Sequence, residues 1–152
     1  MKIAIIISKI DKAGMNIKNF LIEKFIKSNE LFEDNFIYNY KENKEIKLYI
    51  TDKEIVFVDV NEIKADLIIF ASRHSSVNKI PCYTCHATGN WNKAQLGGID
   101  NKLSLTSAYF LREIFLLLNE QNEIEVFQEV SHHGPLTNVP SIFIEIGSTE
   151  EE

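Results

Sequence analysis

The sequence is poor in cysteine, in long apolar runs and in glycine signatures. Two cysteines in 152 residues cannot supply the two pairs that a zinc knuckle needs. The longest apolar runs, Ile3–Ile7 and Leu67–Ala71, are far too short to cross a bilayer. The opening Met1–Ser8 is not a secretory signal: its apolar part is short, Asp11 and Lys12 follow, and no small-residue cleavage site appears. These features describe a cytoplasmic protein that does not enter a membrane. No glycine pattern of the Walker or dinucleotide type occurs, so no nucleotide cofactor is expected. No helix-borne H-E-x-x-H motif occurs either. The net charge of −6 argues against broad binding to nucleic acid.

What is present is unevenly placed. All four histidines lie in two stretches, Ala71–Gly98 and Glu129–Ser148. Residues 71–102, which contain the first, are also a basic island, with Arg73, Lys79, Lys93 and Lys102 against Asp100 alone. Residues 103–152 carry Arg112 against nine acids. A local positive field beside a site can matter more than the total charge.

The length suits one domain over residues 1–152 with a core of its own. Lys2–Ser8 and Asp66–Ala71 are apolar and β-branched, as strands buried on both faces are. The spacing of Ile17, Phe20, Leu21 and Phe25 predicts a helix over Asn16–Ser28. Leu31–Asn43 is aromatic and irregular, either a strand or a packed loop. Glu45–Thr51 and Glu54–Asp59 read as a strand pair around a turn, and Pro81–Thr84 as a further strand. Ala87–Asn101 is loop. Ser104–Asn119 is the strongest helix, with Ser104 or Thr106 as its cap. Glu125–Ser131 and Ser141–Gly147 are the last strands. The order predicts a three-layer α/β domain with a mixed, mostly parallel central sheet. Both histidine stretches begin where apolar strands end, the usual place for ligands in open α/β sheets.

Cys82-Tyr83-Thr84-Cys85-His86 fits the attachment signature of a c-type haem. Such attachment belongs to exported proteins, and the region is strand-like, so haem is not expected. The simpler reading is two buried, reduced thiols. A lone histidine is usually a surface or hydrogen-bonded residue, but four in two Gly/Pro-rich stretches point to a shared site. Neutral imidazoles there could bind zinc and activate water, or one could act as a metal-free general base. Glu129 and Glu145 could ligate or orient them. Spacing does not choose between these. Gly89-Asn90, Gly97-Gly98 and Gly134-Pro135 are turn elements, or places where backbone approaches a ligand closely.

Together, the blocks Ser72–Ser76, Thr84–Asn90, Leu96–Gly98, Glu129–Pro135 and Pro140–Ser148 resemble the archaeal and plant type of D-aminoacyl-tRNA deacylase. Residues 1–70 fit that family only loosely. The resemblance implies a fold related to nucleoside phosphorylases and peptidyl-tRNA hydrolase. It implies hydrolysis of the ester between a D-amino acid and the 3′ end of tRNA. Zinc, attributed to the plant members, is the implied candidate metal, with His74, His86 and His132 as ligands. His86, His133, Glu129 and Glu145 would be catalytic. Arg73, Gly89, Asn90, Lys93, Gly97, Gly98 and Gly134 would contact substrate, with backbone N–H groups near Gly89-Asn90 or Gly97-Gly98 steadying the oxyanion. Two departures stand out: Cys82 and Cys85 replace ordinary apolar residues, and family members usually continue past the last block, so the chain reads as a fragment lacking a C-terminal portion, a short form or a split protein. A nucleoside or small-ester hydrolase using the same pocket, and a non-catalytic module binding RNA ends, are the alternatives.

Overall fold

A computed structural model describes residues 1–77, 79–121 and 123–147. Ser148, which closes the last motif, and the acidic run Glu150–Glu152 lie outside the described residues.

The sheet has eight strands: β1 Ile3–Ser8, β2 Phe25–Phe32, β3 Asn35–Tyr40, β4 Ile46–Thr51, β5 Leu67–Arg73, β6 Cys82–His86, β7 Glu125–Gln128 and β8 Ser141–Gly147. Their order across the sheet is β2-β3-β4-β1-β5-β8-β6-β7. β1 runs parallel to β4 and β5, β8 parallel to β5, and β7 parallel to β6. The pairs β2–β3, β3–β4 and β6–β8 are antiparallel. The sheet is therefore mixed and mostly parallel, as the sequence order predicted.

Alternation along the strands gives the sheet two different faces. Ile7, Leu48, Ile50 and Ala71 face helix α1, Lys12–Leu21, through Met15, Ile17 and Leu21. Leu67, Cys85 and Ile142 face helix α2, Ala108–Asn119, through Leu111, Ile114 and Phe115. Both helices thus cover one face. The opposite face, with Ala4, Ile6, Ile68, Phe70 and Phe143, is covered by Ile55, Val58, Val60 and Ile63. No described α-helix lies over that second face, and the candidate site opens there.

Three local expectations are corrected. The first helix is Lys12–Leu21, not Asn16–Ser28, capped by Asp11, whose carboxylate accepts the Gly14 N–H at 3.1 Å. Phe25 instead starts β2 opposite Tyr40, and Phe20 is left 77% exposed. The β2–β3 ladder overrides the helical spacing, because packing on a sheet outweighs local propensity. Glu54–Asp59 is not a strand. Ile55–Phe57 forms a 3-10 turn, and the apolar residues that suggested a strand lie across the sheet as its cover. Helix α2 starts at Ala108 under Ser107, not Ser104 or Thr106. The Ser104 hydroxyl instead donates to the Pro135 carbonyl and accepts the Thr137 N–H, tying α2's approach to the second histidine stretch.

Candidate active site

Three strands supply the floor. On β5, Ser72 and the following His74 share a face with the buried Phe70. On β8, Glu145 pairs across from Ser72, and on β6 Thr84 pairs across from Glu145. His86, two residues beyond Thr84, pairs across from Phe143. Ser72, His74, Thr84, His86 and Glu145 are all buried. They meet on the helix-free face, near the carboxyl ends of β5 and β8.

Glu145 is the hub. Ser72 and Thr84 donate hydroxyls to it at 3.3 and 3.1 Å, and His74 Nδ1 lies 3.2 Å from its Oε2. Its Oε1 is 3.5 Å from His86 Nε2 and 3.9 Å from His133 Nε2. Burial alone would raise its pKa. The imidazoles of His133, His74 and His86 outweigh that and hold the carboxyl well below the ordinary range. Glu145 is therefore a buried anion. In return it raises the pKa of His74, chiefly through their hydrogen bond, against the effect of burial.

The loop after β7 brings in the rest. Thr88 bridges to His132, and the Gly89 N–H donates to the His133 carbonyl at 2.7 Å. This draws both histidines over β6. His132 stacks on His86 with ring centres 4.1 Å apart, and His133 meets His86 edge-on at 4.9 Å. His133 has φ +44°, in the left-handed region that costs a residue with a Cβ energy. Each ring is anchored through Nδ1: His86 to the Ala87 carbonyl at 2.9 Å, His132 to Val130 at 2.8 Å, His133 to Gly134 at 2.8 Å. A ring that donates Nδ1–H to a carbonyl has Nε2 left for a further partner, a lone pair in the neutral ring and an N–H in the charged one. One nitrogen from each of the three rings lies within 4.8 Å of the others. His86 Nε2 is buried with no hydrogen-bond partner. Lone pairs that face one another and a carboxylate repel unless a proton or a cation lies between them. The donor set is thus built for a cation or an extra proton.

The structure regroups the predicted ligands. His86 and His132 gather with His133, while His74 gathers with Glu129 and Glu145. Glu129 Oε2 is 3.8 Å from His74 Nδ1 and is buried without a hydrogen-bond partner. Arg73 lines a cleft of about 600 Å³ beside the cluster, with Ser8, Asp11 and Glu54. Asp11 accepts the Arg73 N–H at 2.9 Å. Lys93 is exposed on the loop after Trp91 and does not line that cleft.

The glycines do approach something closely, but it is backbone. A Cβ on Gly97 would lie 1.9 Å from the Val56 carbonyl oxygen, and one on Gly134 would lie 2.4 Å from the Gly98 nitrogen. The Gly134 N–H donates to the Leu96 carbonyl, and the Asn90 side chain donates to the Gly97 carbonyl. The Gly89 and Asn90 N–H groups are taken by the His133 and Lys102 carbonyls. These two N–H groups hold the loops together and are not turned to an oxyanion, which corrects the expectation for the Gly89-Asn90 pair. Gly134-Pro135 is cis.

Ser72 and Thr84 were missed as site residues, although each stands two positions from a histidine on a strand and so shares its face. Asp11 had no such signal, since its contact with Arg73 spans sixty-two positions. Cys82 and Cys85 stand three apart on β6 and so point to opposite faces. Both are buried and unpaired. Burial, then the charge of Glu129, pushes the Cys85 thiol up to about 11. Its raised folded pKa favours folding at neutral pH, an effect lost as pH rises through that value. The folded protein is expected to leave Cys85 unlabelled by a thiol-disulfide reagent at pH 8, and urea is expected to expose it. Rapid labelling of both thiols in the native protein would contradict the buried geometry.

The fold and the site define an α/β domain of the nucleoside-phosphorylase-like type, with a histidine–carboxylate centre on its helix-free face. Residues 61–152 match the model of the D-aminoacyl-tRNA deacylase family. The chain belongs to that family. It is 42% identical to the D-aminoacyl-tRNA deacylase of Pyrococcus furiosus, over 97% of this chain and 58% of that protein. The Thermococcus kodakarensis deacylase is 40% identical, over 95% and 57%. The chain thus spans somewhat more than half the length of these relatives. Among solved structures, a conserved protein of unknown function, AF0625, superposes with a TM-score of 0.82 at 32% identity, over 99% of this chain and 56% of that one. Futalosine hydrolase of Helicobacter pylori superposes at 0.61 with 12% identity, over 99% and 89%, a likeness of fold alone. No described helix is long and apolar enough to cross a membrane.

Proposed function

We propose that this chain carries the hydrolytic centre of a D-aminoacyl-tRNA deacylase, cleaving the ester that joins a D-amino acid to the 3′ end of tRNA. One observation carries the reading: His86, His132 and His133 bring one nitrogen each within 4.8 Å of one another, and the buried Glu145 carboxylate lies 3.5 Å from His86 Nε2, beside an open cleft. Such a set activates water and does little else for a fold, since its members repel one another when nothing lies between them.

His86, His132 and His133 would hold zinc, because nitrogen donors on a cleft floor fit that ion. Bound there, zinc would acidify a water and polarise the ester carbonyl. The rest is work for the chain itself. Glu145, fixed by Ser72, Thr84 and His74, supplies the fixed negative charge that orients His86 and His133. Without a metal, Nε2 of His86 or His133 can take the proton of the attacking water; with zinc held on those nitrogens, Glu129, 3.8 Å from His74, would be the group left to take it. Arg73 at the cleft wall meets the terminal phosphates, and Lys93 adds only to the field. Gly89, Asn90, Gly97, Gly98 and Gly134 serve as the frame that fixes His133. The assembly works in the cytoplasm on this reading, where aminoacyl-tRNA is made.

The test is hydrolysis of matched D- and L-aminoacyl-tRNA by this chain, with and without a chelator. Release of the D-amino acid, sparing of the L, and loss with chelator restored by zinc are expected. Cleavage of small esters alone would favour a small-ester hydrolase. Binding of tRNA ends without cleavage would leave a recognition module.

A further inference from the structure

The histidine–carboxylate cluster stands between two hollows of different character. On the β1–β5 side lies the cleft already described, walled by Ser8, Asp11, Arg73 and Glu54. On the β6–β7 side lies a second hollow of about 690 Å³, walled by Ile80, Cys82, Phe127 and Val130. His74, Ser76, Glu129 and His132 line both. The strand registers show how the second hollow arises. Ser72, Glu145, Thr84 and Phe127 form one row across β5, β8, β6 and β7. Residues paired across strands share a face, so Phe127 continues the catalytic row beyond Thr84. The row changes from polar to apolar as it leaves the cluster.

The apolar walls of that hollow are open to solvent. Val130 is 71% exposed, Ile80 49% and Phe127 44%. The hollow offers aliphatic and aromatic surface beside the reacting point and carries no lysine or arginine. Beyond the shared residues its polar lining is Thr84, Gln128 and Ser131, which bring no positive charge for a phosphate, whereas the other cleft adds Arg73 with hydroxyls and carboxylates.

We propose that the hollow bounded by Ile80, Phe127 and Val130 receives the amino-acid side chain of the substrate, while the nucleotide lies in the cleft of Ser8, Asp11 and Arg73. This rests on the deacylase reading and fixes the direction in which the ester crosses the cluster. The hollow is wide and open, not closed around one shape. It accepts many side chains and rewards apolar ones by surface contact. The preference among substrates therefore follows apolar size.

The experiment compares kcat/KM on D-phenylalanyl-tRNA and D-alanyl-tRNA for the wild type, Val130→Asp, Ile80→Asp and Phe20→Asp. The first two place a charge on the hollow's wall. Phe20 lies on α1, over the other face of the sheet, and is a control for added surface charge. In the wild type the ratio is expected to favour D-phenylalanyl-tRNA. It is expected to drop by about tenfold or more in Val130→Asp and Ile80→Asp, the order of effect that one or two methylenes have in an apolar pocket. In Phe20→Asp it is expected to stay at the wild-type value. An unchanged ratio in both hollow variants, with deacylation retained, would overturn the proposal and leave the deacylase reading intact. If the wild type cleaves neither substrate, calorimetry with the D-phenylalanyl and D-alanyl amides of 3′-amino-3′-deoxyadenosine decides. Tighter binding of the phenylalanyl amide, abolished by Val130→Asp, supports the hollow although the catalytic reading has failed. Equal or absent binding removes the hollow as well.

Discussion

Glu145→Gln is expected to fold and to lose D-aminoacyl ester hydrolysis by about 10² to 10⁴-fold, the range that a general acid–base arrangement contributes. The fold should survive because the amide keeps an oxygen for the Thr84 hydroxyl, 3.1 Å away in the wild type, and offers N–H groups to the bare His86 Nε2 at 3.5 Å. The activity should not survive, because the negative charge is gone. That charge holds the pKa of His74 up and is the only fully buried anion among the described residues of the cluster. Stability and activity thus separate in this variant, which a merely structural role for Glu145 does not allow. Steady-state kinetics and a melting curve on the same preparation check it. Wild-type turnover in a folded Glu145→Gln protein would contradict the role assigned to the carboxylate.

Gly97→Ala is expected to be the most damaging glycine substitution for stability. The added methyl would meet the Val56 carbonyl oxygen at 1.9 Å, and φ at that residue is +69°. Overpacking and a left-handed backbone together cost about 2 to 5 kcal/mol, which lowers Tm by about 10 °C in a chain of this size. Gly134→Ala meets Gly98 and Val56 at 2.4 and 2.6 Å but has no unfavourable φ. Its main effect should be to push the loop of His132 and His133 off the cluster, so that activity per folded molecule falls further than stability does. Trp91→Ala, at a position 61% exposed, should leave both nearly unchanged, as surface substitutions usually do. Thermal melts of the three variants, with D- and L-ester hydrolysis on each, separate these outcomes. A Gly97→Ala protein as stable as Trp91→Ala would contradict the packed junction of Gly97, Gly98, Gly134 and Val56.

The buried strands were legible in the sequence because both of their faces are covered, which leaves nearly unbroken apolar runs at Ile3–Ile7 and Leu67–Ala71. The β2–β3 hairpin was not, because Phe20, Leu21 and Phe25 mimic a helical stripe until the pairing of Phe25 with Tyr40 is known. Ile55 and Val58 misled for a related reason. An apolar segment lying across a sheet and one lying within it bury the same residue types. The convergence of the two histidine stretches follows from pairing: β6, within the first stretch, runs parallel to β7, which leads into the second, so His86 and His132 leave the sheet at the same end. The grouping within the site was not legible. It depends on the bridge of Thr88 to His132 and on the register of Thr84 with Glu145, neither of which leaves a local trace. The glycines were recognised as sites of close approach, but the sequence could not say that Gly97 and Gly134 approach each other.

Single-turnover deacylation of D-aminoacyl-tRNA by this chain, in the wild type and in His86→Asn, tests the central claim most directly. His86 is fully buried, and its unpartnered Nε2 points into the cluster. An asparagine keeps the site polar while removing that nitrogen. The expected result is rapid release of the D-amino acid by the wild type and release close to the spontaneous rate by a folded His86→Asn protein. Equal rates for the two folded proteins would contradict the account, because ester cleavage would then belong to some other part of the molecule.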